Sequence, residues 1–322
     1  MELESIKEPV AAEMAAFAQN LQDSLQSKVE LMNVITGYLM RVEGKQIRPL
    51  FVFLCAGVSG EINPGTNRAA ILVELLHTAS LVHDDVVDAS SLRRGRYSVN
   101  ALWRNKTAIR AGDFIFARSM LLALENGDFG VLKILSDTLI AMAEGELLQM
   151  EKARRLLVDE NVYYEIIKRK TASLIAACCS AGALSAGADP KTVKKLHTFG
   201  ELAGIAFQIR DDIFDYSDDQ TGKPPAMDVK EKKITLPLLF ALQHCTKRER
   251  KRWLQLLKNH HDNPRKIAEI INFVKVSGGL DYAAAKMQEY ADKALLILNH
   301  FPQGPMLTSL EALIRFTTSR KK

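Results

Sequence analysis

A chain of 322 residues can form one large domain or two ordinary ones. Its composition, 47% hydrophobic and 25% charged, is that of an ordinary folded protein. The net charge of +5 is too small to indicate nucleic-acid binding, although it suits an anionic substrate if the basic residues gather in one place.

The cysteines and the N-terminal sequence predict a cytoplasmic protein. The four cysteines (Cys55, Cys178, Cys179 and Cys245) have no C-x-x-C spacing, so we expect free thiols in a reducing compartment. The first thirty residues carry several acids and lack the apolar segment of a signal peptide. No apolar run reaches the length of about 18 residues that a membrane span needs, so we predict none.

The spacing of apolar residues predicts an all-α fold. In residues 9–40 they recur at helical intervals, which predicts two amphipathic helices. Further helices are predicted at 50–59, 66–88, 98–125, 129–153, 159–187 and 190–218, with four or more after residue 238. No segment sustains the period-two alternation of a strand, so we expect no strand. With no visible boundary, we predict a single all-helical domain over residues 1–322.

The first loop with recognisable chemistry is Gly44-Lys-Gln-Ile-Arg-Pro49. Pro49 suits the first turn of a helix, so Lys45 and Arg48 are expected near a helix N-terminus, where anions are favoured. Taken alone, this loop is also explained by two solvated cations, and both interpretations stay open.

The predicted helix 66–88 ends in Asp84, Asp85 and Asp88. Asp84 and Asp88 are one turn apart on one face, and their repulsion would be offset by a divalent metal such as Mg²⁺. His77 lies seven residues earlier on nearly the same face, where it is either a core residue or a ligand contact. The loop that follows contains Arg93 and Arg94, whose guanidinium groups suit a diphosphate.

The same spacing returns in Asp211, Asp212 and Asp215, preceded by Gln208. A single D-D-x-x-D sequence is most often a solvated helix face. Two copies, each following an apolar helical run, predict instead a site in which several Mg²⁺ ions hold a diphosphate.

Two further segments carry candidate site residues. Lys170 and Thr171 lie near the middle of the predicted helix 159–187. The polar segment 218–237 is the longest predicted loop, and long loops in compact domains are often functional. Its four lysines could close over a bound anion; they are Lys223, Lys230, Lys232 and Lys233.

In this order the motifs resemble those of the trans-isoprenyl diphosphate synthases, or polyprenyl synthetases, over residues 44–237. They are the G-K-x-x-R-P loop, the first D-D-x-x-D with its two arginines, the Lys-Thr pair, the second D-D-x-x-D preceded by Gln, and the closing Gly-Lys…Lys loop. The resemblance implies an all-α bundle of the isoprenoid synthase type with a central active-site cavity, acting as a homodimer. It also implies head-to-tail addition of isopentenyl diphosphate to an allylic diphosphate such as farnesyl diphosphate, without nucleic acid.

The resemblance assigns roles to individual residues. Three Mg²⁺ ions would be held by Asp84, Asp85, Asp88, Asp211 and Asp215, with Asp212 nearby as a ligand or a supporting residue. The allylic diphosphate would be contacted by Arg93, Lys170, Lys223 and Lys233, and that of isopentenyl diphosphate by Lys45, Arg48, His77 and Arg94. The allylic cation would face Lys170, Thr171 and Gln208. Gln46 and Lys232 depart from the residues common in the family, and we expect neither change to abolish activity.

Small residues before the first cluster predict a long product. Ser80 and Ala79 lie four and five residues before Asp84, with Leu76 a further turn below. Short-chain members of the family carry a bulky aromatic at one of these positions, so an open tunnel is implied, as in octaprenyl and solanesyl synthases. Such a product would serve a quinone side chain and be passed to the membrane. Alternatively, the small residues only let two helices pack closely.

Three other functions are alternatives to this one. A short-chain farnesyl or geranylgeranyl diphosphate synthase would be supported by an aromatic at position 79 or 80, which is absent. A non-catalytic partner subunit typically loses one aspartate cluster, and both are intact. A terpene cyclase or squalene-type synthase also uses an aspartate–Mg²⁺ site, but the paired D-D-x-x-D motifs together with the G-K-x-x-R-P loop argue against it.

Overall fold

The computed structural model describes residues 3–41, 44–93, 95–156, 158–216 and 226–319, and most of these are helical, as predicted. The α-helices are α1 Leu3–Lys7, α2 Ala11–Ser24, α3 Glu30–Met40, α4 Ile47–Ser59, α5 Pro64–Val87, α6 Val99–Glu125, α7 Phe129–Arg155, α8 Glu160–Ile167, α9 Ser173–Ser185, α10 Pro190–Phe214, α11 Met227–Lys230, α12 Leu236–Gln243, α13 Lys247–Asn259, α14 Pro264–Val276, α15 Gly279–Leu298 and α16 Pro305–Ser319. A 3₁₀ turn, Glu8–Val10, follows α1, and a π-helical turn, Lys168–Ala172, joins α8 to α9.

The chain forms two compact units. Unit 1 comprises Met1–Asp137, Ala177–His197 and His300–Leu313. Unit 2 comprises Thr138–Ala176, Thr198–Asn299 and Ile314–Lys322. The single domain over residues 1–322 stays a prediction, and the two units are described separately below.

In unit 1, α5 is the central helix and packs against α2, α4 and α6. Its start is set by Asn63, whose side chain accepts from the amides of Gly65 and Thr66 while the Thr66 hydroxyl accepts from the Asn63 amide. This capping box satisfies amides that a helix start leaves without partners. Most of the residues of α5 from Ala69 to Val82 are buried, so the helix is apolar around much of its circumference.

Unit 1 also contains two short strands that the sequence did not predict. Strands β1 (Leu92–Arg93) and β2 (Arg96–Tyr97) pair in antiparallel register around a turn in which Gly95 has φ +75°. The prediction of no strand was therefore wrong. Each strand has only two residues, which is too short for an alternating pattern to show in the sequence.

In unit 2, the apolar helix α12 is buried against α8, α13, α14 and α15. The contact with α15 is close because Gly279 has no side chain: a Cβ there would lie 2.3 Å from the carbonyl oxygen of Pro237. One core cluster of this unit lies beneath the candidate site described below; it comprises Tyr163, Ile167, Ala172, Ile205, Ile209, Leu236, Leu239 and Ala283.

Two predicted helices end or break at points that matter for the site. The predicted helix 159–187 is divided by the π turn that contains Lys170 and Thr171. The predicted helix 190–218 ends at Phe214, so Asp215 lies just beyond it in a turn. Residues 217–225 lie outside the described part of the chain.

Helix α6 is interrupted at Arg104, which has φ 68° and ψ 161°. This backbone region is essentially restricted to glycine and costs other residues about 1–3 kcal/mol. Replacing Arg104 with glycine is therefore expected to raise the free energy of unfolding by about 1 kcal/mol, because relief of strain exceeds the entropic cost of glycine. Equilibrium denaturation measures the change. The control is Lys106→Gly, at an exposed position of the same helix with helical backbone, and its free energy of unfolding should fall by about 1 kcal/mol. A similar fall for Arg104→Gly would contradict the assignment of strain.

The predictions about the cysteines and about a membrane span agree with the described residues. All four cysteines are free thiols, and Cys55, Cys178 and Cys179 are buried. Within the described ranges, no helix combines the length and the apolar character that a membrane span requires.

Candidate active site

The first aspartate cluster lies at the end of α5 in unit 1. Asp85 is 4% exposed, and its Oδ1 accepts from Arg93 Nε at 2.7 Å and from Arg93 Nη2 at 2.6 Å. Asp84 and Asp88 are exposed. The cluster is therefore divided: one carboxylate is buried against a cation on β1, and two are presented to solvent.

The loop after this cluster is fastened to the helix end by hydrogen bonds. The Asn100 amide donates to the carbonyl oxygens of Asp85 and Ser90, both at 3.1 Å. The Ser98 hydroxyl donates to the Ser90 carbonyl at 2.6 Å. Because both ends of the loop are held, Arg93 is fixed beside Asp85. Arg94 lies outside the described residues.

A cavity of about 120 Å³ adjoins the same helix end. His77, Asp85 and Arg93 line it, together with Gly44 and Gln46 of the first predicted anion loop. His77 is buried at 8% exposure. The structure thus brings together the histidine, one aspartate, one arginine and the loop that carries Lys45 and Arg48, all within unit 1.

The second aspartate cluster lies at the end of α10 in unit 2, and Asp212 is its buried member, at 3% exposure. The Tyr163 hydroxyl donates to Asp212 Oδ2 at 2.7 Å, and Gln208 Nε2 donates to Asp212 Oδ1 at 2.8 Å. The Thr171 hydroxyl donates to Gln208 Oε1 at 2.7 Å. Thr171, Gln208, Asp212 and Tyr163 therefore form one continuous chain of hydrogen bonds.

The charge state of Asp212 is dominated by its surroundings. Burial, followed by the negative charge of Asp228, raises the pKa of Asp212 well above its ordinary value, although the hydrogen bonds from Tyr163 and Gln208 oppose the shift. Asp211, which is exposed, adds a smaller repulsion. This concentration of negative charge would be relieved by a bound cation.

Asp215 is held by backbone donors. Its two carboxylate oxygens accept from the amides of Met227 at 2.9 Å and Asp228 at 3.0 Å, which begin α11. The turn before α11 has Ala226 at φ 63°, and the turn after it has Lys232 at φ 58°. Lys232 therefore occupies a left-handed backbone position, which favours glycine.

Two lysines of unit 2 are paired with acids. Lys170 Nζ forms an ion pair with Glu146 and lies 3.5 Å from Gln149 Oε1, and Lys233 pairs with Glu231. Burial alone would lower the pKa of Lys233, but the hydrogen bond and charge of Glu231, with the charge of Asp228, raise it above its ordinary value. Both lysines are therefore held by carboxylates in this structure.

A cavity of about 170 Å³ in unit 2 is lined by these groups. They include Gln149, Tyr163, Lys170, Thr171, Gln208, Asp212, Asp228 and Lys233. Polar groups on its wall come from α7, α8, the π turn, α10, α11 and the segment after α11, and apolar groups come from the core cluster beneath. A pocket with a few convergent charged groups on an apolar floor is the usual form of a small-molecule site.

The π turn owes its position to two glycines of unit 2. A Cβ on Gly145 would lie 2.8 Å from the Arg169 Cβ and 3.0 Å from the Lys170 amide nitrogen. A Cβ on Gly204 would lie 2.5 Å from the Ala172 Cα. The backbone of Lys170 and Thr171 thus runs between two helices at glycine contacts. Isolated π turns are frequent at functional sites.

The donor set of both clusters suits a hard divalent cation, since every candidate ligand is a carboxylate oxygen. Among the described residues, no group of three acids, histidines or cysteines is already arranged to hold a metal ion. The residues therefore suit a divalent cation by their ligand chemistry and by their charge. In unit 1 the exposed carboxylates of Asp84 and Asp88 are available, and in unit 2 a cation would relieve the repulsion between the carboxyl groups around Asp212.

Comparison with known proteins decides the family. The family model described as polyprenyl synthetase matches residues 29–274. The chain belongs to the polyprenyl synthetase family. The heptaprenyl diphosphate synthase component 2 of Geobacillus stearothermophilus is 35% identical, with 94% of each chain covered. The octaprenyl diphosphate synthase of Escherichia coli K12 is 34% identical over the full length of both.

A solved structure is similar as well. The polyprenyl synthase of Caulobacter crescentus, crystallised with calcium and isoprenyl diphosphate, is 35% identical and has a TM-score of 0.92, covering 100% of this chain and 98% of that one. This polyprenyl synthetase therefore has the all-α isoprenoid synthase fold, as the resemblance implied. It is a prenyltransferase of isoprenoid biosynthesis, a trans-prenyl diphosphate synthase.

The residues proposed to set product length in this synthase lie on α5. Ser80 is half-buried, and its hydroxyl donates to the Leu76 carbonyl at 3.0 Å. Ala79 is 1% exposed and Leu76 is 4% exposed. At 3.6 residues per turn, Ser80 lies about 40° from Asp84 around the helix axis and Ala79 about 140° away. Ser80 therefore shares the face of Asp84 more closely than Ala79 does.

Sequence reasoning missed several residues of the unit 2 cavity. Tyr163 and Gln149 lie in ordinary helical patterns, so nothing in the sequence marks them. Asp228 was passed over inside the polar segment, although its acidic side chain close after the second cluster was a usable signal. Lys233 was predicted and does line the cavity. Lys223 lies outside the described residues.

The close contact at Gly204 predicts that Gly204→Ala lowers both stability and turnover. In Gly204→Ala, the new methyl group would meet backbone atoms of Ala172, which cannot rotate away, so the π turn must shift. We expect stability to fall by about 1–3 kcal/mol and turnover by about 10²-fold, because Lys170 and Thr171 are displaced. Thermal unfolding and steady-state kinetics measure the two effects. Gly37→Ala is the control, since its Cβ would meet no atom within 4 Å; equal behaviour of the two variants would contradict the packing argument.

Proposed function

We propose that this chain is a long-chain, all-trans polyprenyl diphosphate synthase that extends an allylic diphosphate with isopentenyl diphosphate. The observation that carries the proposal is the unit 2 cavity, where Lys170, Lys233 and the Thr171–Gln208–Asp212–Tyr163 chain line one pocket. The relatives support it, since two of them are named octaprenyl and heptaprenyl diphosphate synthases. A solved neighbour was crystallised with isoprenyl diphosphate.

The cationic residues would bind the two diphosphates. Arg93, Lys170, Lys223 and Lys233 are proposed for the allylic substrate, and Lys45, Arg48, His77 and Arg94 for isopentenyl diphosphate. In the structure, Arg93, Lys170 and Lys233 hold carboxylates instead. A diphosphate group carries more negative charge than a single carboxylate, so we expect a bound substrate to replace these acids.

The aspartates would hold a divalent cation, which we propose to be Mg²⁺, with three ions per active site. They are Asp84, Asp85 and Asp88 of the first cluster and Asp211, Asp212 and Asp215 of the second. When bound, the cation supplies Lewis-acid neutralisation of the charge that develops on the leaving diphosphate. The crystallised relative contains calcium, which also prefers oxygen ligands.

The remaining residues would act on the reacting carbon skeleton. The hydroxyl of Thr171 and the amide of Gln208, fixed by their mutual hydrogen bond, would present dipoles to the allylic cation as the carbon–oxygen bond breaks. The double bond of isopentenyl diphosphate then forms the new carbon–carbon bond, and a proton leaves to the departing diphosphate. No protein nucleophile is required. The apolar floor of the cavity would exclude water, which would otherwise consume the cation.

Incorporation of labelled isopentenyl diphosphate into organic-extractable product tests the chemistry. The purified chain should incorporate label only when Mg²⁺ and an allylic diphosphate are both present, and a chelator should abolish it. Incorporation that persists with chelator would contradict the metal assignment. No incorporation under any condition would contradict the proposal for the chain alone and would favour a role as one component of a larger synthase; one relative is named component 2 of a heptaprenyl diphosphate synthase.

A further inference from the structure

The phenol of Tyr163 is a buried polar group to which the proposed reaction assigns no role. Tyr163 is 6% exposed and lines the same cavity as Lys170, Thr171 and Asp212. Its hydroxyl donates to Asp212 Oδ2 at 2.7 Å, a short and well-formed hydrogen bond. The phenol is the donor of this bond, because a tyrosine hydroxyl carries the proton and the carboxylate oxygen accepts it.

The position of this phenol is set by rigid surroundings. Asp159 caps the start of α8, and its Oδ1 accepts from the amides of Asn161 and Val162. The Tyr163 amide, in turn, donates to the Asp159 carbonyl at 3.1 Å. The ring belongs to the core cluster of unit 2 and meets the Tyr164 ring edge-on at 5.3 Å. Because both the backbone and the ring of Tyr163 are held in place, its hydroxyl can hold a hydrogen-bond partner in one orientation.

Asp212 is the residue whose carboxyl group is oriented by the Tyr163 hydroxyl. Its other oxygen accepts from Gln208 Nε2 at 2.8 Å, so the two donors fix the plane of the carboxyl group. Residues that hydrogen-bond a metal-ligating carboxylate orient it, and their loss typically lowers metal affinity by about 10- to 100-fold. The acceptor of the Tyr163 hydroxyl is Asp212 Oδ2, so the phenol is expected to act on the cluster through Asp212.

We propose that Tyr163 is a positioning residue that orients Asp212 and thereby sets the affinity of the second aspartate cluster for a divalent cation bound with diphosphate. The inference rests on the proposed function, because it assigns Asp212 to the metal site. It predicts that Tyr163→Phe, which removes one oxygen atom, lowers the affinity for the cation while the chain still folds.

The test is binding of Mn²⁺ in the presence of inorganic diphosphate, followed by electron paramagnetic resonance of free Mn²⁺, with no turnover involved. Tyr163→Phe should raise the dissociation constant by about 10-fold. Tyr164→Phe is the matched control: the residue is adjacent, it also loses one hydroxyl, and the variant keeps the ring that packs against Tyr163 and Tyr290. Its dissociation constant should equal that of the unmodified chain. Equal affinities for Tyr163→Phe and the unmodified chain would overturn the inference.

A second pair of variants keeps the test decisive if Tyr163→Phe does not fold. An amide in Asp212→Asn carries no charge, so the loss of a donor beside it is easier to tolerate. Asp212→Asn and Asp212→Asn/Tyr163→Phe should bind Mn²⁺ with equal affinity, because the tyrosine acts through the carboxylate. A further loss in the double variant would overturn the inference. Failure of the unmodified chain to bind Mn²⁺ with diphosphate would overturn the proposed function as well, which separates the two failures.

Discussion

Replacing Asp84 with alanine is expected to lower turnover by roughly 10³-fold, which corresponds to about 4 kcal/mol of lost transition-state stabilisation. Asp84 is exposed at the end of α5, so it contributes to the chemistry rather than to the core. The folded state should therefore lose little stability. Steady-state kinetics at saturating Mg²⁺, with thermal unfolding of the same sample, measure both effects.

The control for this experiment is Asp137→Ala. Asp137 is an exposed carboxylate of α7 that pairs with Lys133 at 2.9 Å on the surface, and such pairs contribute about 1 kcal/mol or less. Its variant should keep nearly full turnover. Retention of turnover in Asp84→Ala would remove the first aspartate cluster from the mechanism.

Replacing Ser80 with phenylalanine is expected to shorten the product to farnesyl or geranylgeranyl length. Ser80 lies about one turn, roughly 5.4 Å, below Asp84 and close to the same face of α5. A phenyl ring there would fill the path of the growing chain. Reversed-phase chromatography of the dephosphorylated products measures the change.

Ser80→Ala is the matched control, because it keeps a small side chain and removes only the hydroxyl that bonds the Leu76 carbonyl. Its product should be as long as that of the unmodified chain. Ala79→Phe is expected to shorten the product too, but Ala79 is buried, so it should also lose stability by overpacking. If Ser80→Phe and Ala79→Phe both leave product length unchanged, the tunnel does not pass these positions.

Much of the fold followed from helical periodicity and caps. The bounds predicted for α5 were close because Asn63-Pro64 marks its start and the aspartates mark its end. The aspartate clusters were visible because the spacing of like charges on apolar helices is unusual, and local sequence carries that signal.

The features that the sequence did not predict depend on tertiary contacts. The π turn at Lys168–Ala172 exists where two glycines of other helices allow close approach, and no local pattern encodes such a contact. Tyr163 became a site residue only because α8 and α10 place it beside Asp212. The interruption at Arg104 could not be foreseen either, since neither glycine nor proline marks it.

The length of the product tests the central claim most directly. The purified chain would be incubated with Mg²⁺, farnesyl diphosphate and labelled isopentenyl diphosphate, and the resulting alcohols sized by reversed-phase chromatography. The account predicts one principal product much longer than geranylgeraniol, in the range of heptaprenol to decaprenol. A product that stops at farnesol or geranylgeraniol would contradict it and identify a short-chain synthase.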